Sequence, residues 1–286
     1  MRPDVLPNES DVIIIKEKLM KLIIALAQFK PTLEVSENLN KMVKLISQTK
    51  ENDIVVMPEG CLSGYSHNLE FLNEDMALEI EQALLKLLFY TKQHNVHLIF
   101  GSCIREEGSW YNAGIYISPN GIKHIYKKVN LAIHERGILK EGSNLSCFDF
   151  HNGEANIKIA IQLCREIRFP EQWKFLSLNG ANIIFYLTNI IDTEELDIWN
   201  AHLISRAAEN QRYVISSNIA HVEQGCSSMV ISPKGKVIKT LEVDCETLER
   251  IQIDLSENSN WYLSQSRKDL LDVIAFGPLN NTSKNS

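Results

Sequence analysis

The sequence predicts an α/β fold, because strands and amphipathic helices alternate along its 286 residues. The alternation occurs twice, over residues 22–104 and again over residues 157–218. Each half also carries a hairpin signal, a Pro-Asn-Gly that starts at Pro119 and a Pro-Lys-Gly that starts at Pro233. These three observations predict two similar halves packed as one unit, with sheets inside and helices outside.

In the first half, apolar runs bounded by turn residues predict strands, and apolar residues at helical spacing predict helices. Leu39, Met42 and Ile46 fall on one face of such a helix. The predicted strands cover residues 22–29, 53–57, 96–104, 111–118 and 122–126. The predicted helices cover residues 36–51 and 74–94.

The second half begins with a strand that ends at a cysteine. Ile157, Ile159 and Ile161 alternate with polar residues, and this strand ends just before Cys164. Pro170, followed by an acidic residue, predicts the start of a helix. A thiol at a strand-to-helix turn lies near oriented backbone N–H groups, which favour the thiolate. The further predicted elements are strands over 183–187, 213–218, 227–232, 237–241 and 250–255 and a helix over 194–210.

One domain is expected, because no linker-like run interrupts residues 20–276. Residues 1–19 are predicted to form an N-terminal extension, in which residues 12–15 suit either an edge strand or a docking contact. Residues 277–286 are rich in Asn, Ser and Thr and are predicted to form a flexible tail.

The composition excludes several classes of partner. Lys and Arg number 29 against 36 Asp and Glu, giving a net charge of −7 with no basic block, which argues against nucleic acid and anionic membranes. No apolar run approaches the roughly 20 residues of a spanning helix, and the N-terminus lacks the pattern of a signal peptide. Six cysteines without a Cys-x-x-Cys pair indicate reduced thiols. We therefore expect a cytoplasmic protein.

Three chemically complementary residues each follow a predicted strand: Glu59, Lys128 and Cys164. Strand ends are where α/β proteins build their sites. A carboxylate can take the proton of a thiol, and a fixed ammonium with a backbone N–H can stabilise the oxyanion of acyl transfer.

Each of these residues also has a simpler interpretation. Glu59 would end a strand in water, Lys128 beside Lys127 would belong to a solvated face, and Cys164 would be a small buried apolar residue. Their spacing alone does not decide between these interpretations and an active site.

Three segments that contain these residues resemble the motifs of the nitrilase superfamily, the carbon–nitrogen hydrolases. The glutamate motif is Met-Pro-Glu-Gly-Cys-Leu-Ser-Gly-Tyr from Met57, and the lysine motif is Tyr-Lys-Lys-Val-Asn-Leu from Tyr126. The cysteine motif is Leu-Cys-Arg-Glu-Ile-Arg-Phe-Pro-Glu from Leu163. The resemblance follows the order of the family from about residue 20 to residue 275. Lesser matching blocks are Glu135-Arg136, residues 206–210, 217–218 and 225–235, and Arg267 with Asp269.

The resemblance implies a four-layer αββα sandwich, a homodimer or higher homo-oligomer, and neither cofactor nor metal. It implies that residues 20–276 form the carbon–nitrogen hydrolase domain. By position, Cys164 would be the nucleophile, Glu59 the general base and Lys128 the oxyanion stabiliser. Glu135 would orient the lysine or the substrate, and the N–H of Arg165 would complete the oxyanion hole.

The sequence departs from the family pattern next to the nucleophile. Arg165 stands where an aromatic residue is common, Glu166 where aspartate is common, and Asn130 where histidine is common. The Arg165 side chain would either bind a carboxylate on the substrate or pair with a nearby acid. Arg168 matches an arginine common in the family, and a structural ion pair is expected for it.

These observations lead to one main functional hypothesis and two kinds of alternative. The main hypothesis is a hydrolase that cleaves the C–N bond of a small linear amide through a cysteine thioester and releases ammonia or an amine. An N-carbamoyl amidohydrolase or an amine N-acyltransferase would use the same residues. A catalytically idle binding or interaction protein on this scaffold is the alternative from another class.

The remaining cysteines and two histidines have no functional role in this hypothesis. The five cysteines are expected to fill the core, and they are Cys61, Cys103, Cys147, Cys226 and Cys245. His94 and His97 are too few for a metal site and are expected at the surface or at a helix end.

Overall fold

The computed structural model describes residues 21–152 and 155–274. In these residues two six-stranded sheets face each other, and helices cover their outer surfaces. The strands of the first sheet are β1 (Lys21–Gln28), β2 (Ile54–Val56), β3 (His97–Glu106), β4 (Ser109–Ile117), β5 (Lys123–Lys127) and β12 (Thr247–Asp254). Those of the second are β6 (Phe148–Asn152), β7 (Ala155–Leu163), β8 (Ala181–Leu187), β9 (Tyr213–Ser217), β10 (Met229–Ile231) and β11 (Val237–Thr240).

Four of the described α-helices alternate with the strands as the sequence predicted, and the short last one was not predicted. The α-helices in this part of the chain are α1 (Val35–Ile46), α2 (Glu74–His94), α3 (Pro170–Leu178), α4 (Leu196–Asn210) and α5 (Trp261–Ser264). The strand orders are β12-β1-β2-β3-β4-β5 and β11-β10-β9-β8-β7-β6. One edge of each sheet is the second strand of an antiparallel hairpin. This strand is β5 in the first sheet and β11 in the second.

Three apolar clusters separate the four layers. One joins the inner faces of both sheets and includes Ile24 and Ile161, both of which are fully buried. A second joins the first sheet to α1 and α2, and a third joins the other sheet to α3 and α4. The arrangement is an αββα sandwich, which confirms the predicted fold class.

Helix α2 begins and ends where the sequence predicted, because both ends are capped locally. The Asn73 side chain accepts a 2.9 Å hydrogen bond from the N–H of Met76, a typical N-cap contact. Asn95 adopts a left-handed conformation, with φ 51°, and ends the helix.

The sequence prediction extended one helix too far and missed one strand. Helix α1 ends at Ile46 instead of residue 51, because a turn follows in which the Thr49 hydroxyl donates to the Ile46 carbonyl at 2.6 Å. Strand β6 was not predicted at all. Phe148 and Phe150 are its buried residues, and this short alternation acquires its strand conformation by pairing with β7.

Some predictions for individual residues also need correction. His97 is buried, with its Nδ1 2.9 Å from the Tyr116 hydroxyl, so its predicted surface position was wrong. Cys61, Cys103 and Cys226 are buried as predicted. The other two predicted core cysteines are partly exposed, and they are Cys147 and Cys245.

The predicted extension over residues 1–19, with its edge strand or docking contact over 12–15, and the tail over 277–286 lie outside the described residues. The domain bounds stay a prediction. No helix among the described residues has both the length and the apolar character needed to cross a membrane.

Candidate active site

The ends of three strands bring Glu59, Lys128 and Cys164 into one region. Glu59 lies three residues beyond β2, in a segment held against β3 by the 2.9 Å hydrogen bond from Gly101 N to Pro58 O. Lys128 directly follows β5, and its N–H donates to Asn112 O on β4 at 2.8 Å. Cys164 directly follows β7. Because the two sheets face each other, the polar residues that follow β2, β5 and β7 converge.

Lys128 connects two buried carboxylates. Its Nζ donates to Glu59 Oε1 at 3.0 Å and to Glu135 Oε1 at 3.1 Å, and all three side chains are fully buried. Asn112 Nδ2 donates to the same two oxygens, at 2.8 Å and 2.7 Å. Two donors therefore hold Glu59 and Glu135 side by side despite their like charges.

Glu135 accepts more hydrogen bonds than Glu59, and both of its oxygens have partners. Besides Lys128 and Asn112, its Oε1 accepts a 2.6 Å bond from the Tyr65 hydroxyl. Its Oε2 accepts a 2.5 Å bond from Ala132 N, within the short 3-10 turn that ends at Glu135. Tyr65 also lies 3.0 Å from the Nε2 of His134. These contacts fix Glu135 as the anchor of the lysine.

The environment pushes the pKa values of the two carboxyl groups in opposite directions. Burial raises the pKa of Glu59, and the charge of Lys128 offsets this only in part. Burial also acts to raise the pKa of Glu135, but Lys128 and the hydrogen bonds hold it below its usual value. For Lys128, the neighbouring carboxylates outweigh burial and raise the pKa, so the ammonium stays charged. Glu59 is consequently the more basic of the two carboxylates.

Cys164 lies next to this cluster in a strained conformation. Its φ is +39°, in the left-handed region that a residue with a Cβ rarely adopts, and its carbonyl accepts a 2.7 Å bond from the Tyr186 hydroxyl. Although part of Cys164 faces a cleft, burial and then the charge of Glu59 raise the pKa of its thiol. Burial thus opposes the influence of backbone N–H groups, which favours the thiolate.

Glu59, whose charge acts on this thiol, retains one free acceptor. Its Oε1 is occupied by Lys128 and Asn112, whereas its buried Oε2 has no hydrogen-bond partner within the described structure. A buried carboxylate oxygen without a partner is unusual and costly. It provides an acceptor for a proton from a neighbouring group.

Glu166, the residue that departs from the family's aspartate, is fully buried and connects two of the motifs. Its Oε1 accepts hydrogen bonds from the Tyr126 hydroxyl at 2.6 Å and from Val129 N at 2.8 Å. Its Oε2 accepts a 2.8 Å bond from Leu163 N. The longer side chain thus spans from the end of β5 to the end of β7.

The cleft above Cys164 has a volume of about 750 Å³. It is lined by aromatic, charged and amide side chains, among them Tyr65, His67, His134, Arg165, Arg168, Asn189, Asp192, Glu195 and Trp199. Arg168 Nη2 pairs with Glu195 Oε2 at 2.5 Å and its guanidinium lies over Trp199 at 5.2 Å, so the expected ion pair of Arg168 is present. Arg165 is half-buried and has no carboxylate within 4.0 Å among the described residues.

The structure thus groups Glu59, Lys128 and Glu135 with Cys164 and places Arg165 on the adjoining cleft. Sequence reasoning missed Asn112, which contacts both carboxylates. The available signal was a polar side chain inside an otherwise apolar strand, since Asn112 lies in β4 between residues that are all buried. No three metal-ligating side chains come together within residues 21–152 and 155–274.

The sandwich with this site defines an enzyme that hydrolyses carbon–nitrogen bonds. The family model described as carbon-nitrogen hydrolase matches residues 23–262, and the chain belongs to this family. A 2-oxoglutaramate amidase of Bacillus subtilis is 30% identical over 234 residues, which are 78% of this chain and 87% of that protein. A probable nitrilase of Schizosaccharomyces pombe is 29% identical over 251 residues, 83% of this chain and 90% of that protein.

A solved structure agrees with the fold. The carbon-nitrogen hydrolase from Helicobacter pylori G27 aligns with a TM-score of 0.73 at 19% identity, covering 87% of this chain and 96% of that one. The resemblance to the nitrilase superfamily is confirmed. The homo-oligomeric state and the cytoplasmic location stay predictions.

Proposed function

We propose that this enzyme hydrolyses a small linear amide through a thioester on Cys164 and releases ammonia or an amine. The observation that carries the proposal is the orientation of Glu59. One of its oxygens is held by Lys128 and Asn112, and the other is buried without a hydrogen-bond partner among the described residues, in a group whose charge acts on the Cys164 thiol. That arrangement suits a general base that accepts the thiol proton at the moment of attack.

In the first half of the cycle, the Cys164 sulfur attacks the amide carbonyl carbon while Glu59 takes the thiol proton. The negative charge that develops on the carbonyl oxygen is stabilised by Lys128 Nζ and by the N–H of Arg165. Glu59 then gives its proton to the leaving nitrogen, the C–N bond breaks, and a thioester remains on Cys164.

In the second half, water attacks the thioester carbonyl as Glu59 removes its proton. The tetrahedral intermediate collapses, the C–S bond breaks, and the carboxylic acid leaves. The proton held by Glu59 returns to the sulfur, so the resting enzyme is restored without a cofactor.

The pKa directions support a concerted proton transfer. Burial raises the pKa of the Cys164 thiol, so a neutral thiol is favoured at rest. Burial also raises the pKa of Glu59, which makes its carboxylate a stronger base than an exposed glutamate. In this proposal Lys128 and Glu135 act by position and charge, since Glu135 anchors the ammonium and is itself held by Tyr65.

The proposed substrate is an amide that carries a carboxylate. Arg165 follows the nucleophile, lines the cleft and has no acidic partner there, so its guanidinium is available to an anionic group. The B. subtilis relative is named for 2-oxoglutaramate, a compound with both an amide and a carboxylate. We therefore assign Arg165 to substrate binding. N-carbamoyl cleavage and acyl transfer to an amine would use the same groups, and no contact in the site favours either.

A paired screen tests this function. Ammonia release is measured with amides of dicarboxylic acids, their neutral counterparts and N-carbamoyl compounds, and the acyl-enzyme is sought by intact-protein mass spectrometry after rapid quenching. We expect turnover of amides, a mass increase equal to the acyl group, and loss of both in Cys164→Ala.

Cys245→Ala, which alters a cysteine outside the cleft, is the matched control and should retain turnover. Wild-type turnover in folded Cys164→Ala would contradict the proposal, and complete inactivity on the whole panel would favour an idle scaffold.

A further inference from the structure

The residue opposite Cys164 on the neighbouring strand is a buried threonine. Strands β7 and β8 are parallel, and Leu163 is the register partner of Leu187. The next residues, Cys164 and Thr188, therefore leave the ends of adjacent strands side by side, at a strand separation of about 4.8 Å. The backbone of Thr188 is fixed there, because its N–H donates to Ser217 O on β9 at 3.0 Å.

Like Glu59 Oε2, the Thr188 hydroxyl is a buried polar group left without a hydrogen-bond partner among the described residues. Thr188 is fully buried, and its Oγ1 has no hydrogen-bond partner of acceptable geometry in the described part of the chain. Buried hydroxyl groups are normally hydrogen-bonded, as Thr91 shows in α2, where the hydroxyl donates to Leu87 O at 2.9 Å. An orphaned hydroxyl beside a nucleophile points to a partner that appears only during the reaction.

The sulfur supplies that partner when it loses its proton. A neutral thiol is a weak hydrogen-bond acceptor, whereas a thiolate is a strong one. The proximity of the Thr188 hydroxyl already acts to lower the pKa of Cys164, against the larger opposing effects of burial and of Glu59. Lys128 is bound to two carboxylates, whereas the Thr188 hydroxyl, which lies near both the sulfur and the Tyr186 hydroxyl, is a neutral donor without a bond of acceptable geometry among the described residues.

We propose that Thr188 is a further catalytic residue, whose hydroxyl donates a hydrogen bond to the Cys164 sulfur as Glu59 removes the thiol proton. This inference rests on the proposed function, because it assigns the attacking atom to Cys164. No proton leaves Thr188. The O–H bond stays intact, the hydrogen bond strengthens as negative charge develops on sulfur, and it weakens again when the C–S bond forms.

The test measures the free enzyme without substrate. Alkylation of Cys164 by iodoacetamide is followed by mass spectrometry of the Cys164 peptide as a function of pH, in wild type, Thr188→Val and Thr188→Ser. Valine keeps the volume and removes the donor, and serine keeps the donor. We expect Thr188→Val to shift the alkylation profile upward by about one pH unit, equivalent to about tenfold slower labelling at a fixed pH. Thr188→Ser should stay close to wild type.

A matched control separates this effect from simple repacking. Thr91→Val makes the same buried exchange in α2, away from the cleft, and should leave the profile unchanged. The inference is overturned if Thr188→Val labels like wild type, if Thr188→Ser shifts as far as valine, or if Thr91→Val gives the same shift. An unchanged profile in Thr188→Val together with amide turnover that depends on Cys164 would overturn this inference and leave the proposed function standing.

Discussion

The hydroxyl of Tyr126 donates a 2.6 Å hydrogen bond to the Oε1 of Glu166. Tyr126 is in β5, two residues before Lys128, and Glu166 is two residues after Cys164. The bond therefore joins the two sheets at the point where the ammonium and the thiol must meet. Aspartate is common at the position of Glu166 in the family, and the extra methylene of glutamate lets one carboxylate reach backbone N–H groups on both sides.

Removing this hydroxyl should weaken both the fold and the catalysis. Tyr126→Phe deletes a donor to a buried carboxylate, which costs about 1.5–3 kcal/mol in the free energy of unfolding. We also expect a lower kcat, because the distance between Lys128 and Cys164 is no longer fixed. Urea unfolding and steady-state kinetics measure the two effects. Tyr116→Phe is the matched control, since it removes a buried hydroxyl bonded to His97 away from the site and should change stability alone. An unaltered kcat in Tyr126→Phe would contradict this coupling.

The pH dependence should report the interaction between Glu59 and Glu135. Burial raises the pKa of Glu59, and the charge of Glu135 raises it further. Because the base must be ionised to act, kcat/KM should fall as the pH drops through this raised pKa, above the usual range of a glutamate. Glu135→Gln removes the repelling charge, favours ionised Glu59 and should move the acidic limb to lower pH.

Profiles of kcat/KM against pH for wild type and Glu135→Gln check this sign. The control variant is Glu246→Gln, which removes the carboxylate that pairs with Lys41 at 2.8 Å. It should leave the acidic limb of the kcat/KM profile at the wild-type pH. A limb that stays fixed or moves to higher pH in Glu135→Gln would show that Glu59 is not the titrating base.

The Arg165 side chain should discriminate acidic from neutral amides. Arg165→Ala removes a charge-assisted hydrogen bond of about 1.5–3 kcal/mol, so kcat/KM for the acidic amide should fall about 10- to 100-fold. The neutral amide of equal length should change much less, and Arg165→Lys should recover part of the loss. The measurement is the ratio of the two kcat/KM values in each variant. Arg105→Ala, which changes the arginine that pairs with Glu74, controls for loss of charge. Equal losses on both amides would exclude a role in recognition.

The positions of Glu59, Lys128 and Cys164 could be predicted because each depends on a local pattern. A strand is visible from its own apolar residues, and so is the polar residue that follows it. Motif resemblance then supplied Glu135, which lies in a 3-10 turn that periodicity does not reveal. The capped helix α2 was predicted to its end residues for the same local reason.

Contacts between distant segments could not be predicted in this way. Asn112 and Thr188 are single polar residues in or after buried strands, and their importance depends on which strands become neighbours. Strand β6 forms because its backbone pairs with that of β7. The raised pKa of Cys164 depends on its burial, and the extent of this burial cannot be read from the sequence. The local backbone alone therefore does not determine the pKa of this thiol.

Gly101 provides the most direct test of how closely β3 must approach the glutamate segment. A Cβ on Gly101 would lie 2.4 Å from Glu59 Cα and 2.7 Å from Gly60 N, both of which are backbone atoms. Gly101→Ala must therefore displace the Glu59 segment, at a cost of about 1–3 kcal/mol in the free energy of unfolding. We expect kcat to fall as well, because Glu59 Oε2 moves relative to the thiol. Gly114→Ala is the matched control, since the three atoms nearest to its Cβ would belong to the Ile161 side chain, the first at 2.4 Å, and it should cost stability with little change in kcat. Thermal unfolding and kcat are measured for both variants at a temperature where each is folded. A Gly101→Ala enzyme with wild-type kcat would mean that the exact placement of Glu59 does not limit the reaction.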